Sequence, residues 1–340
     1  MSIHWGGRGA GHVSRLSTST TGVPTLALNF LSGSLDPRVT FTRSSTATFV
    51  GSNGLIQSAA VDTPRFDYDP VTLAPRGLLI EEQRTNLFLN SLIDGTSLST
   101  QSVTVTAVAH TISFYGTGTI TLTGAATATV TGTGVYPNRR TLSFTPIVGV
   151  LICTVSGSVQ YAQIEAGAFA TSFIPTAGAT ATRSADVATM TGTNFSSWYN
   201  QSEGTFVCSA DTADANTANR SIYYASNAGS TDIVYGVAGT LRTIRVLVSG
   251  GETGGASAGA FTNNVPAKTA GAYKVNDFAA SFNGGTVATD TVGAVPTTVD
   301  RLTIGTNTAL QSLLYLNGHV RSIAYYNTRL PNTTLRALTA

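Results

Sequence analysis

This chain predicts an all-β protein: an extended N-terminal region followed by two β-sandwich modules. Three observations carry that expectation. About one residue in six is Thr, alongside many Val, Ile, Tyr and Phe, the residues that suit a pleated, half-buried surface. The 35 glycines supply turns. Short runs of alternating apolar and polar residues recur at intervals of about ten residues, the spacing of sandwich strands. Only 11% of residues are charged, less than half the usual share, so the expected surface is covered by hydroxyls. At 340 residues the chain exceeds one domain of common size.

The elements follow in order. Residues 1–33 open with Gly6, Gly7, Gly9 and Gly11, then a Ser/Thr run, and no acid precedes Asp36. Such a segment buries too little apolar surface to fold alone, so it reads as an arm that orders against a partner. Residues 34–86 hold short strands such as Val39–Arg43 among Asp36-Pro37, Thr63-Pro64, Asp69-Pro70 and Ala74-Pro75 turns. Their periodicity is poor, which predicts an extended module without a core of its own.

Residues 87–186 alternate strongly. Val103 and Val105 share one face with Thr104 on the other; Thr119–Thr123, Ala128–Thr131 and Thr141–Phe144 repeat the pattern. One buried face per sheet is expected, in a jelly-roll-like sandwich. Residues 187–340 predict a second sandwich from Gly204–Ser209, Arg220–Tyr224, Asp232–Tyr235, Thr243–Val248, Phe278–Phe282, Arg301–Gly305 and His319–Tyr326. Asn283-Gly-Gly285 is a tight-turn signal. Pro331–Leu338 predicts a short closing helix, with Leu335 and Leu338 facing inward. Leu302, Ile304, Val320, Ile323, Phe206 and Phe282 are expected in the second core.

Composition excludes several classes. A net charge of +2 provides no field to attract nucleic acid or an anionic membrane. No run of eighteen apolar residues is present to span a membrane, and the N-terminus lacks a signal peptide's apolar core, so synthesis in a cytoplasm is expected. Lys268 and Lys274 are the only lysines, so arginine carries the positive charge. That balance suits interfaces, and composition bias explains it equally well. Cys153 and Cys208 sit in apolar runs and read as buried free thiols.

Catalytic signals are weak. The four histidines (His4, His12, His110, His319) show no metal-ligand spacing, and no Gly-x-Ser-x-Gly elbow is present. Gly250–Gly255 follows a strand but lacks the Lys-Ser/Thr of a phosphate loop, so it reads as a flexible surface hairpin. Asp211, Asp214, Asn276 and Asp277 could serve calcium, but they form no dense acidic loop. No cofactor and no metal are expected. Exposed aromatics are the usual platforms for glycans. Trp198-Tyr199, Tyr223-Tyr224, Tyr235 and Tyr325-Tyr326 are the candidates, with Trp198, Tyr199, Tyr224 and Tyr235 chosen among them. Adjacent aromatics on a strand face opposite ways, so one of each pair is expected in the core.

Six stretches resemble structural proteins of tailed bacteriophages, especially head-fibre, head-spike and some tail proteins. They are Ser34–Phe49, Thr63–Pro70, Gly77–Leu87, Tyr161–Thr176, Arg183–Ala188 and Leu316–Leu330. The resemblance runs from about residue 24 to the end. It implies a non-enzymatic virion protein on the outer surface of the particle, most simply a head fibre or spike decorating the capsid. The N-terminal region would dock on capsid, portal or tail proteins, with Trp5, Arg8, Arg15, Phe30 and Arg38 as candidate contacts. Fibres and spikes of this kind are usually trimeric, so a homotrimer is expected. The order of the last module resembles a laminin-G or concanavalin-like lectin, which implies binding of host-surface glycans. A tail-associated receptor-binding adhesin is the alternative, and a polysaccharide-degrading enzyme the third reading.

Overall fold

The computed structural model describes residues 22–91, 98–215, 220–239 and 243–340. Two sandwiches stand in it, both antiparallel throughout. The larger packs an eight-stranded sheet on a seven-stranded one. The eight-stranded sheet runs in the order Ala288–Asp290, Phe278–Phe282, Ala267–Lys274, Glu203–Ala210, Gly318–Tyr326, Pro75–Ile80, Phe66–Tyr68. Leu26–Asn29 also pairs with Gly318–Tyr326, placing Leu26 opposite Tyr325. The facing sheet runs Thr40–Thr42, Val187–Thr191, Arg301–Ile304, Arg220–Ser226, Ile233–Ala238, Ile244–Val248, Gly251–Ala256.

One core lies between these sheets, with Leu302, Ile304, Val320, Ile323 and Phe206 all buried in it and Phe282 packed at its margin. The period-2 pattern of the strands accounts for this burial. The terminal helix Asn332–Thr339 lies across an outer face and does not close an edge. Its Leu335 packs with Ala270, Ala272, Ala279 and Tyr326. These alanines leave room for a helix to sit close to the sheet. Gly251–Ala256, expected as a loose hairpin, is an edge strand; a Cβ at Gly254 would meet the Phe278 ring at 2.6 Å, so glycine permits the approach.

The smaller sandwich packs a four-stranded sheet (Ala128–Thr131, Thr119–Gly124, Gly149–Ser156, Gln101–Val105) on three strands (Arg140–Phe144, His110–Tyr115, Gln160–Ala166). Its core includes Val103, Val105, Ile120, Leu122, Leu151 and Cys153. Cys153 and Cys208 are free and buried, one in each core.

The module boundaries differ from expectation in one respect. Residues 34–86 are not a separate docking module, and the arm does not extend to residue 33. Leu26–Asn29, Thr40–Thr42 and Pro75–Ile80 are strands of the larger sandwich, completing sheets built from residues 187–340. Leu26, Leu28 and Phe30 need that burial, because the local sequence offers no other apolar face. The smaller sandwich is thus an insertion in the larger. Its entry and exit pair as a two-stranded stem, Arg84–Asn86 with Ala181–Arg183.

Candidate functional site

The structure corrects most of the candidate residues. Phe30 is a core residue and cannot contact a particle. Trp198 is buried among Phe195, Phe206 and Tyr325 and donates through Nε1 to the Asn194 carbonyl at 2.8 Å. Tyr199 stacks on Tyr325, centroids 5.4 Å apart. Tyr224 and Tyr235 lie on the outer face of the seven-stranded sheet, as alternation requires, with Tyr223 inside. Both are nonetheless covered, in a cluster with Ile233 and Val237. No exposed platform forms from these four. Arg38 remains partly exposed, paired with Asp36 at 2.8 Å. Trp5, Arg8 and Arg15 lie outside the described residues. Asp211 and Asp214 are engaged by His319 and Arg220.

What the fold does bring together is a buried polar junction between the two sandwiches. Arg43, Arg65, Arg183, Asp186 and Glu81 are all nearly solvent-free. Asp186 accepts from Arg43 at 3.1 Å, from Arg65 through its other oxygen, and from the Glu81 backbone N–H at 2.9 Å. Arg65 also reaches Glu81 and the Ser172 hydroxyl, each at 2.8 Å. Burial alone would push the Glu81 carboxyl up, but the guanidiniums of Arg183 and Arg65 hold it well below the usual carboxylate range. Around this centre, Asn86 donates to the Ala162 and Ile174 carbonyls, and Glu165 accepts from Thr171. Every one of these residues falls in one of the stretches Ser34–Phe49, Thr63–Pro70, Gly77–Leu87, Tyr161–Thr176 or Arg183–Ala188.

The sixth stretch joins through His319. Its Nδ1 stands 2.7 Å from Asp211 and its Nε2 3.0 Å from Asp67, so one imidazole bridges strands 252 residues apart. Burial would lower its pKa; the Asp211 carboxylate, aided by hydrogen bonds to Asp211 and Asp67, overcomes burial and nearby Arg76 and raises it. A raised folded pKa stabilises the fold fully below the unfolded value, near 6.5, and the contribution is lost as pH rises through the folded value. The melting temperature of the native protein should therefore fall as pH climbs above that range. In His319→Gln the alkaline fall should be absent, and melting curves across pH compare the two.

Beside the junction lies a cleft of about 260 Å³. Asp67, Arg76, Arg139, Asp211, Asn264 and Asn317 line its polar side. A second cleft of about 670 Å³ adjoins it, sharing Thr48, Ile56, Tyr136 and Phe173 and adding apolar Leu55, Val135 and Pro175. Between them runs an aromatic series: Tyr136 to Tyr115 at 5.3 Å, Tyr115 to Tyr161 at 6.0 Å, Tyr161 to Phe173 at 5.3 Å. Burial pushes the Tyr136 hydroxyl up to about 12, so it stays a neutral donor, here to the Gly54 carbonyl at 2.6 Å. Arg139 is held by the Thr171 carbonyl and Ser113 hydroxyl at 2.6 and 2.7 Å.

Aromatic faces beside amide, carboxylate and guanidinium groups can hold a molecule with one apolar and one hydroxylated face. The sequence reading passed over these rings. The available signal was position: Tyr136 lies in the Gly-rich turn Gly132–Asn138, where a ring has no sheet of its own to point into.

No protein-family profile matches the chain, and no curated protein matches it. Solved structures with partial likeness include the NanB sialidase of Streptococcus pneumoniae, 15% identical over 44% of this chain and 26% of that one, TM-score 0.35. The CBM40 module of the Ruminococcus gnavus IT-sialidase, bound to α2,3-sialyllactose, is 17% identical over 43% of this chain and 88% of that one, TM-score 0.36. The Trypanosoma rangeli sialidase is 15% identical over 45% of this chain and 26% of that one, TM-score 0.32. The chain spans about a quarter of the length of either sialidase.

Proposed function

We propose that this chain is a non-enzymatic structural protein on the outer surface of a tailed-phage particle, a head fibre or spike. On this reading it holds host-surface glycans in the cleft between its sandwiches. The observation that carries the reading is the convergence of all six phage-like stretches on one buried junction. On this reading, what those stretches share with phage proteins is the means of locking an inserted sandwich to its parent. Two sandwiches joined through a buried junction suit a part that projects from a particle. The N-terminal region before Thr25 supplies the attachment, and copies associate as a trimer. A non-enzymatic role agrees with the carboxylates at the cleft, since Asp67 and Asp211 both spend an oxygen on His319 and Glu81 is spent on Arg65 and Ser172.

The glycan part is tested by titrating the purified protein with oligosaccharides released from the host surface. Tyr136→Ala should weaken binding on the order of tenfold, the equivalent of about 1.4 kcal/mol of lost ring contact. Tyr136→Phe keeps the ring and loses only the bond to Gly54, so it should bind like the native chain. Equal binding by Tyr136→Ala, or slow cleavage of the oligosaccharide, would overturn this part. The particle part is tested by imaging virions that carry a tagged copy. Label at the capsid surface supports a head fibre, label at the tail supports the adhesin alternative, and unlabelled virions exclude both.

A further inference from the structure

We propose that the four-stranded face of the smaller sandwich is where copies of this chain meet. The inference deepens the multi-copy part of the reading above and is independent of its glycan part. From Leu98 to Asn138, and again from Thr141 to Ile164, the chain contains no Asp, Glu, Lys or Arg. The outer face of this sheet is consequently a field of threonines and serines crossed by the exposed side chains of Val150 and Ile152. At one end the register sets Gly149 opposite Val105 and Val150 opposite Thr104. Just before Gly149, Ile147 donates its backbone N–H to the Ala125 carbonyl at 2.9 Å. Val108, Ile147, Val148 and Val150 are each more than half exposed.

The edge of the sheet points the same way. Gln101–Val105 ends the sheet, and among the described residues no strand pairs with its free side. The opposite edge, Ala128–Thr131, also pairs with no further strand among the described residues but lies beside Arg140–Phe144 of the facing sheet. Free edges are ordinarily guarded by charge, proline or a bulge. Two edges of the larger sandwich carry such a charge, Glu252 on Gly251–Ala256 and Asp290 on Ala288–Asp290, while its Thr40–Thr42 edge is uncharged like this one. Gln101-Ser-Val-Thr-Val105 has none of these guards.

The occupant follows from charge. A charged partner would find no counter-charge on this face, and a sugar would find no aromatic ring. A neutral face of threonine and aliphatic side chains is matched, without desolvating any ion, by the same face on another copy. The open strand lets the backbones of adjacent copies pair as well.

The test is the mass of the full chain in solution by sedimentation equilibrium at micromolar concentration. The native protein should be a closed oligomer. Val150→Arg and Thr104→Arg place a charge on exposed positions of the face and should each yield a folded monomer by circular dichroism. Val292→Arg, at a still more exposed site on the larger sandwich, should leave the oligomer intact. A monomeric native chain, or oligomers that persist in both face variants, would overturn the proposal. Oligosaccharide titration of the monomeric variants separates the two ideas. Binding per chain should be unchanged, and its absence in every form would count against the cleft alone.

Discussion

Asp186→Ala should destabilise the protein by about 3–5 kcal/mol, the usual cost of removing one partner from a buried ion pair. The effect is large because Arg43 loses its carboxylate partner and Arg65 one of its two, leaving it Glu81. Arg43 and Arg65 both have side chains without measurable exposure, and both bond to Asp186. Neither can turn to water without opening the junction. Arg43 is held to the Ser45 and Ala60 carbonyls, Arg65 to the Thr48 carbonyl. The Glu81 backbone N–H loses its acceptor as well. Burial already lowers the pKa of Arg43, so this guanidinium depends on the Asp186 charge.

Denaturant midpoints on the two variants Asp186→Ala and Asp186→Asn would separate charge from hydrogen bonding. The amide keeps one acceptor and should recover part of the loss. Because the junction locks the inserted sandwich to its parent, Asp186→Ala should also separate the unfolding of the two cores into distinct steps. A single transition with an unchanged midpoint would mean the network is dispensable.

The junction also marks the limit of what local sequence reveals. The sandwiches themselves were legible, because strand periodicity is a local property: Val103 and Val105, Ile120 and Leu122, Leu302 and Ile304 point inward as their spacing requires. Strand pairing is not local. Nothing near Leu26 or Pro75 indicates that both pair with Gly318–Tyr326, so residues 34–86 read as coreless when their core was supplied from the far end of the chain. Charge misled in the same way. Arg and Asp are mostly surface residues, and Arg43, Arg65, Arg183 and Asp186 carry no local sign of their burial.

For the aromatics, alternation correctly set Tyr223 inside and Tyr224 outside. What covers an outer face, however, comes from other segments. The cleft was invisible because its walls are drawn from residues 48–81, 115–173 and 211–319, three parts of the chain that no window joins.

The second large effect is expected at Phe206. Phe206→Ala should cost about 3–5 kcal/mol, as deleting a fully buried ring does where the cavity cannot collapse. Phe206 projects from the eight-stranded sheet and stacks on Tyr223 of the seven-stranded sheet, centroids 4.0 Å apart and 20° from parallel. Tyr325 and Trp198 close its sides at 4.6 and 6.4 Å. These neighbours cannot fill the gap. Tyr223 lies over Gly236, where even a Cβ would come within 2.2 Å of its ring. Tyr325 is tied through its hydroxyl to Tyr273 at 2.8 Å and accepts from the Asn200 backbone N–H at 3.1 Å. Rings pinned by polar contacts and close packing leave an empty volume behind.

Tyr224→Ser gives the contrast, because Tyr224 sits in the four-residue cluster outside the main core, 5.2 Å from Tyr235. Its loss should lower the melting temperature by less than Phe206→Ala, and glycan binding by the folded fraction should be unaffected. Thermal melts and guanidinium titrations of both variants against the native chain measure the difference. A Phe206→Ala midpoint close to the native value would mean that the two sheets are not held by this stack. A Tyr224→Ser variant with native stability and weakened glycan binding would move the binding surface from the cleft to the outer face of the seven-stranded sheet.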